Sequence, residues 1–438
     1  MNCHHVLLIV ALALSGCDPD PESDTDTGEG GDDTNEEVGG TYIDDFMDES
    51  TIDPSRSTGL MRDGWLVGTP AFQLSSAGDG VDGTWVAAGD ESLPNPVYAF
   101  TTGTIESGSV STPGDIRIMA TEGFTVAAGA SFFAAGALSI VSEGPIDLCG
   151  AVNAGGIISI EQLSSDPVRI GCGASSRVNN IPNGGIDGSV FVLSRGPVVL
   201  DGGDIVTLTS PPGALSSVTI ASDSDVTLSG GAFVSAGAGV ALRIYTKGGL
   251  FASEGTYAES GGAGTGTRGG ELDVRLQGDF TMDSAGLYAN DGGSVAVTLA
   301  GLAHFSNSAV VHATGFGALQ SSLEFTAGSV DLELYSGLYT VPDATPLTVR
   351  TEGDMLMRVG AGLYAADAAC GDGGQITLEV GGDLNVSDDS EMYAGHGSCT
   401  GVGGTVTAEV AGTITTPSGG IVAGDDGDGD GEIRKLRS

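Results

Sequence analysis

"GGELDVRLQGDFTMDSAGLYA" occupies residues 269–289, and "GGQITLEVGGDLNVSDDSEMYA" occupies 373–394. In the first, Leu272, Val274 and Leu276 alternate with Glu271, Asp273 and Arg275. Alternation at period two is the signature of a β-strand with one buried and one wet face. A glycine turn follows, then a shorter alternating run through Phe280 and Met282, then Leu-Tyr-Ala. The second stretch repeats this order and ends in Met-Tyr-Ala. Similar copies begin at 292, 321, 346 and 403, and weaker ones at 114, 137 and 188. No window carries an apolar stripe at the 3.6-residue period of a helix.

A unit of roughly 20–30 residues cannot bury its apolar face alone, but it can when stacked on its neighbours. Three short strands per unit with glycine corners predict an all-β chain, a single-stranded parallel β-helix solenoid of about 12–13 rungs over 97–424. At about 4.8 Å per rung the rod would be about 55–60 Å long. An antiparallel β-sandwich pair is the rival, and it would not demand one register across so many copies.

Composition agrees with a solenoid. The chain has 438 residues, of which 74 are glycine, far above the usual ~7%. There is no Gly-X-Y period, so it is not collagen. Hydrophobic residues make up 40%, enough to fill a core. The 58 acidic and 15 basic residues give a net charge of −43. Such a field repels phosphate backbones and argues against nucleic acid as a partner.

The chain opens "MNCHHVLLIVALALSGC". Val6–Ala13 is too short to span a bilayer as a mature helix and suits the core of a signal peptide. Leu14-Ser15-Gly16-Cys17 resembles the lipobox of bacterial lipoproteins, although the segment before it has His4 and His5 and no Lys or Arg. The resemblance implies removal of residues 1–16, lipid on Cys17 and anchoring in a membrane. Asp18 follows; in the best-known sorting rule of that family Asp there favours inner-membrane retention, but the rule does not hold in all Gram-negative lineages. The expected location is the cell envelope, at the outer membrane or cell surface. Ten of residues 18–40 are Asp or Glu and none is basic, so 17–40 reads as the lipidated cysteine and a self-repelling disordered tether. Residues 41–96 lack the repeat and hold Trp65 and Trp85; they read as an N-terminal cap covering the first rung. Residues 425–438 read as an acidic Gly/Asp tail.

The repeat also aligns the cysteines. "PIDLCGA" (145–151) over "PVRIGCGA" (167–174) matches Cys149 to Cys172. "LYAADAACGDGG" (363–374) over "MYAGHGSCTGVGG" (392–404) matches Cys370 to Cys399. Equivalent places on stacked rungs put Cα atoms about 5 Å apart, which suits a disulfide. We therefore expect Cys149–Cys172 and Cys370–Cys399, and with them an oxidising compartment.

Residues 97–424 look like the exported β-helix proteins, which include filamentous adhesins, autotransporter passengers and pectin-cleaving enzymes. That resemblance is one of architecture, and β-helices serve many functions. Catalytic motifs are sparse: there is no G-x-S-x-G, no H-E-x-x-H and no P-loop. Asp388, Asp389 and Gly395-His396-Gly397 supply letters similar to those of β-helical polygalacturonases. In that family the two motifs lie on different rungs, and its Asn-Thr-Asp and Arg-Ile-Lys are missing here. A calcium-dependent pectate lyase would need several acids beside an arginine base, and no repeat concentrates them. Asp426, Asp428 and Asp430 are spaced like the start of a calcium loop, but Arg437 stands where an EF-hand has Glu. Calcium is the one cofactor left open; no other is expected.

Alignment of the copies places Tyr257, Tyr288, His312, Tyr339, Tyr364 and Tyr393 in one outward column, with Leu287, Val311, Leu338, Leu363, Met392 and Ile421 toward the core. An exposed aromatic strip suits a sugar ligand; rings stacked on one another would instead reinforce the sheet. The expected function is a structural or adhesive one at the cell envelope, with a glycan or another surface protein as partner. A carbohydrate-active lyase or hydrolase is the alternative, and whether the chain is an enzyme stays open.

Overall fold

The computed structural model describes residues 80–436 apart from 173–175, 181–188, 208–216, 238, 254, 262–269, 291, 316–320, 342–344, 366–371, 388, 396–401, 417–419 and 424–431. At 421–423 and 432–436 only the backbone is described. Every regular element among these residues is a β-strand, and every strand pairing is parallel, as between Glu271–Leu276 and Ser294–Leu299. The fold is a parallel β-helix, as the repeat predicts.

A typical rung has three strands. In the rung quoted first these are Glu271–Leu276, Phe280–Asp283 and Gly286–Ala289. Third strands stack only on third strands, forming a 14-stranded sheet. First and second strands share a 26-stranded sheet, because two early strands, Val97–Ser107 and Ile116–Val126, run unbroken across both faces.

The stack is longer at both ends than the repeat suggested. Thr84–Ala88 pairs with Thr102–Ser107, and Glu91–Ser92 with Val110–Ser111. The end of the segment read as a cap is thus already solenoid, and the Trp85 ring lies 5.1 Å from that of Phe100. At the other end Glu432–Leu436, read as tail, adds a strand to Thr405–Glu409.

Register explains the core. Leu272, Val274 and Leu276 sit beneath Val295, Val297 and Leu299, and Leu323 and Phe325 follow above. All of these are buried. Each contributes on the order of 1.5–3 kcal/mol of burial free energy. Phe280, Phe305 and Phe325 meet edge to face, with centroids 4.9 and 5.8 Å apart, an arrangement that aromatic quadrupoles favour. Further toward the N-terminus one inner column is polar: Ser142, Gln162, Ser194, Ser222 and Thr246 stack at the corner between first and second strands. The Gly144 and Ser224 amides donate to the hydroxyls of Ser142 and Ser222, and the Gln162 amide donates to the Gly144 carbonyl. These side chains satisfy backbone groups that a sharp corner leaves without ladder partners.

The acids and glycines interlock at the same corner. Asp279 Oδ1 accepts the Leu302 amide of the next rung at 2.9 Å. Asp354 accepts from Asp383, and Asp383 in turn from Thr413. Asp115 and Asp225 do the same for Ala137 and Gly249. Each carboxylate occupies the space where a Cβ would stand on the glycine above it: Gly136, Gly248, Gly301, Gly382 and Gly412. The carboxylate and the missing side chain are therefore two halves of one contact.

A Cβ on Gly301 would meet Asp279 Oδ1 and the Gly278 carbonyl oxygen, so Gly301→Ala is expected to destabilise the fold by about 1–3 kcal/mol. A Cβ on Gly114 would have no neighbour within 4 Å, and Gly114→Ala is expected to stay within about 0.5 kcal/mol of the parent. Urea unfolding of the two variants checks the contrast; equal effects would contradict the interlock.

Candidate functional site

The third strands carry the aromatic column. Tyr288, His312, Tyr339, Tyr364 and Tyr393 occupy one register position on consecutive strands. Tyr257 does not share it: Tyr257 stands beneath Gly286, and Glu259 stands beneath Tyr288. Alignment of the letters was off by two residues there. The ring column is nevertheless continuous and begins one rung earlier. Phe233 and Tyr257 rings are 5.7 Å apart, and Tyr257 and Tyr288 are 4.4 Å apart. His312 meets Tyr288 and Tyr339 edge-on, each at 5.9 Å. Tyr339 and Tyr364 lie 4.9 Å apart and within 7° of parallel, and Tyr393 closes the column at 6.5 Å.

Glycine makes the shift between register positions work. Gly286, Gly337 and Gly362 are not corner residues; each opens a strand. A Cβ on any of them would fall on the ring of the tyrosine two residues later, Tyr288, Tyr339 or Tyr364. The "GLY" triplet is thus a seat and the ring that fills it. Leu287, Val311, Leu338, Leu363 and Met392 face the core and are buried; the side chain of Ile421 lies outside the described residues.

Ring faces cover one another in the Phe233–Tyr257–Tyr288 and Tyr339–Tyr364 stacks, and His312 bridges the two stacks through edge contacts. Each of the six predicted residues is half-buried. Glu259 and Glu391 anchor the hydroxyls. Burial, then the Glu259 carboxylate that accepts its hydrogen bond, pushes Tyr257 up to about 12. Burial, then the Glu391 carboxylate, raises Tyr364 as well. Glu259 is itself held by the Ser235 hydroxyl at 2.8 Å and the Asn290 amide at 3.2 Å. Burial pushes the His312 imidazole down.

A second cluster joins second strands and the corner after them. His304 stacks directly beneath Asp331. Its Nδ1 is 3.5 Å from Asp331 and its Nε2 3.7 Å from Glu333. Arg358, one rung on, donates to both Asp331 oxygens at 2.9 and 2.7 Å, and its Nη2 lies 3.3 Å from Glu333. No one repeat concentrates acids beside an arginine here, but stacking brings side chains from three rungs together. A glycosidase needs open space between its two carboxyls for sugar and water, and here the guanidinium fills it.

The corner beside this cluster is strained. It calls for a left-handed backbone in rung after rung, supplied by Gly255 (φ 72°), Ser284 (φ 52°), Asn307 (φ 53°) and Asp389 (φ 62°). Two consecutive rungs instead place Leu334 (φ 52°), Tyr335 (φ 64°) and Val359 (φ 54°) there. For bulky or β-branched residues this region costs about 1–2 kcal/mol each. Tyr335 is 67% exposed, so packing offsets little of that cost.

A further polar group lies on the outer side of the first strands. Tyr245 is buried and donates to Asp273 Oδ2 at 2.8 Å. Arg275 binds the same carboxylate at 3.0 Å and lies 5.6 Å over the Tyr245 ring. Outward residues Val141, Glu161, Leu193 and Ala221 in that column are also buried, so this part of the face is not wet as period two predicted.

Cys149 and Cys172 form a disulfide with Cα atoms 5.2 Å apart. Cys17, Cys370, Cys399, Asp388, His396, Asp426, Asp428 and Asp430 lie outside the described residues. Among the described residues no three His, Cys, Asp or Glu side chains are grouped to hold a metal ion. No family model, curated protein or solved structure matches the chain.

Neutral tyrosine is the form that the fold favours, so its contribution is complete below pH 10, the ordinary tyrosine value, and is lost as pH rises toward about 12. For His312 the sign is opposite: stability is present above pH 6.5 and declines as pH falls below it. Thermal melts from pH 5 to 12 should fall at both ends, and His312→Phe should remove the acid-side loss attributable to that residue. An unchanged acid limb in His312→Phe would contradict the assignment.

Proposed function

We propose that the chain is a lipid-anchored, exported β-helix protein with a structural or adhesive role at the cell envelope. The observation that carries the role is the aromatic column. Its ring faces pack on one another across consecutive rungs, which stiffens the rod. An open platform for stacking sugars would need those faces free.

The anchor rests on the Leu14-Ser15-Gly16-Cys17 stretch and the acidic run after it. A lipid on Cys17 would attach the chain to a membrane, and the acidic run after it would be repelled by an anionic surface. The Cys149–Cys172 disulfide is consistent with an oxidising compartment.

Metabolic labelling with a palmitate analogue tests the anchor. The parent chain should carry label and sediment with membranes, whereas Cys17→Ala should lose both properties. Label retained on Cys17→Ala, or none on the parent, would overturn the reading.

A further inference from the structure

Tyr335 stands at a left-handed corner position that other rungs fill with Gly255, Ser284, Ser308, Gly360 or Asp389. Its ring rests on Gly360, where a Cβ would come within 2.7 Å of it, and its amide donates to the Val359 carbonyl at 3.1 Å. One flank of the ring is supported and the side chain remains 67% exposed. The structural return is one ring flank on Gly360, small for a strained and largely exposed residue. Strain of this kind collects where a side chain serves recognition.

We propose that Tyr335, with His304, Asp331, Glu333 and Arg358, forms a recognition site for a neutral saccharide. The inference rests on the adhesive form of the function proposed above and names its ligand class. A pyranose has one flat face of C–H groups, which an open tyrosine ring covers well. Around that face it has paired hydroxyls, which match planar carboxylate and guanidinium groups. Glu333 precedes Tyr335 by two residues and Arg358 precedes Gly360 by two. The charged residues are therefore close chain neighbours of the ring on one rung and of its seat on the next. The carboxylates are pre-oriented by Arg358 and His304, which lowers the ordering cost of binding.

Charge selects among sugars. A chain of net charge −43, with two carboxylates at the site, repels uronates and sulfated glycans. A cationic ligand would have to displace Arg358 from Asp331, a contact of 2.7 Å. The aromatic column on the neighbouring face offers no equivalent platform, because its rings are half-buried against one another while Tyr335 is exposed.

The test uses the full chain, detergent-solubilised, on an array of neutral and uronate-containing oligosaccharides. Neutral glycans should be retained and acidic ones not. Tyr335→Gly should weaken retention at least tenfold while leaving the melting temperature equal or higher, since glycine adopts the corner without strain. Arg358→Gln should also weaken it, and Tyr288→Ala should not. Parent-like retention by Tyr335→Gly, or retention of acidic glycans alone, would overturn the site. Beads coated with the protein separate this inference from the reading beneath it. If they attach to cells while no glycan is retained on the array, the saccharide site falls and adhesion stands. If they do not attach and no glycan is retained, both fall.

Discussion

Parallel in-register stacking places every side chain directly over its counterpart about 4.8 Å below. At that spacing a position is good or bad only in relation to the positions above and below it. Leu272 under Val295 extends an apolar column. Asp279 reaching the Leu302 amide needs Gly301 to have no side chain. Tyr288 lying over Tyr257 needs Gly286 beneath its ring. Core, corners and outer column all answer to the same constraint.

That constraint also gives the unusual composition a physical sense. Part of the glycine content makes room for neighbours' carboxylates and rings. Part of the acidic content accepts backbone amides from the next rung, at Asp115, Asp225, Asp279, Asp354 and Asp383. The few arginines also act between rungs, as in Arg169–Asp147 and Arg350–Glu379; such exposed pairs add little stability individually. Against this regular background Leu334, Tyr335 and Val359 stand out, because they break the corner rule that adjacent rungs obey.

The strands were legible because period two is a local signal: Leu272, Val274 and Leu276 declare the buried face within one stretch. The Cys149–Cys172 pair was legible because the letters on both sides match once Gly171 is allowed as an insertion, and most of the tyrosine column because the third strands share one register. Tyr257 was misplaced because its role passes between two register positions, and letters alone do not show that Gly286 receives its neighbour's ring. The carboxylate–glycine interlock was missed because each rung contains only half of it. The His304, Asp331, Glu333 and Arg358 cluster was missed for a similar reason, although placing His304 over Asp331 in the aligned copies would have signalled it. Strain at Val359 depends on a backbone angle that no local sequence pattern marks.

The central claim is that aligned copies of the repeat stand on stacked rungs, and it extends to the two copies whose sequences contain Cys370 and Cys399. Peptide mapping of the unreduced protein tests it most directly. The account predicts two linked pairs, Cys149–Cys172 and Cys370–Cys399. Free thiols at 370 and 399, or a link from Cys172 to Cys370, would contradict it.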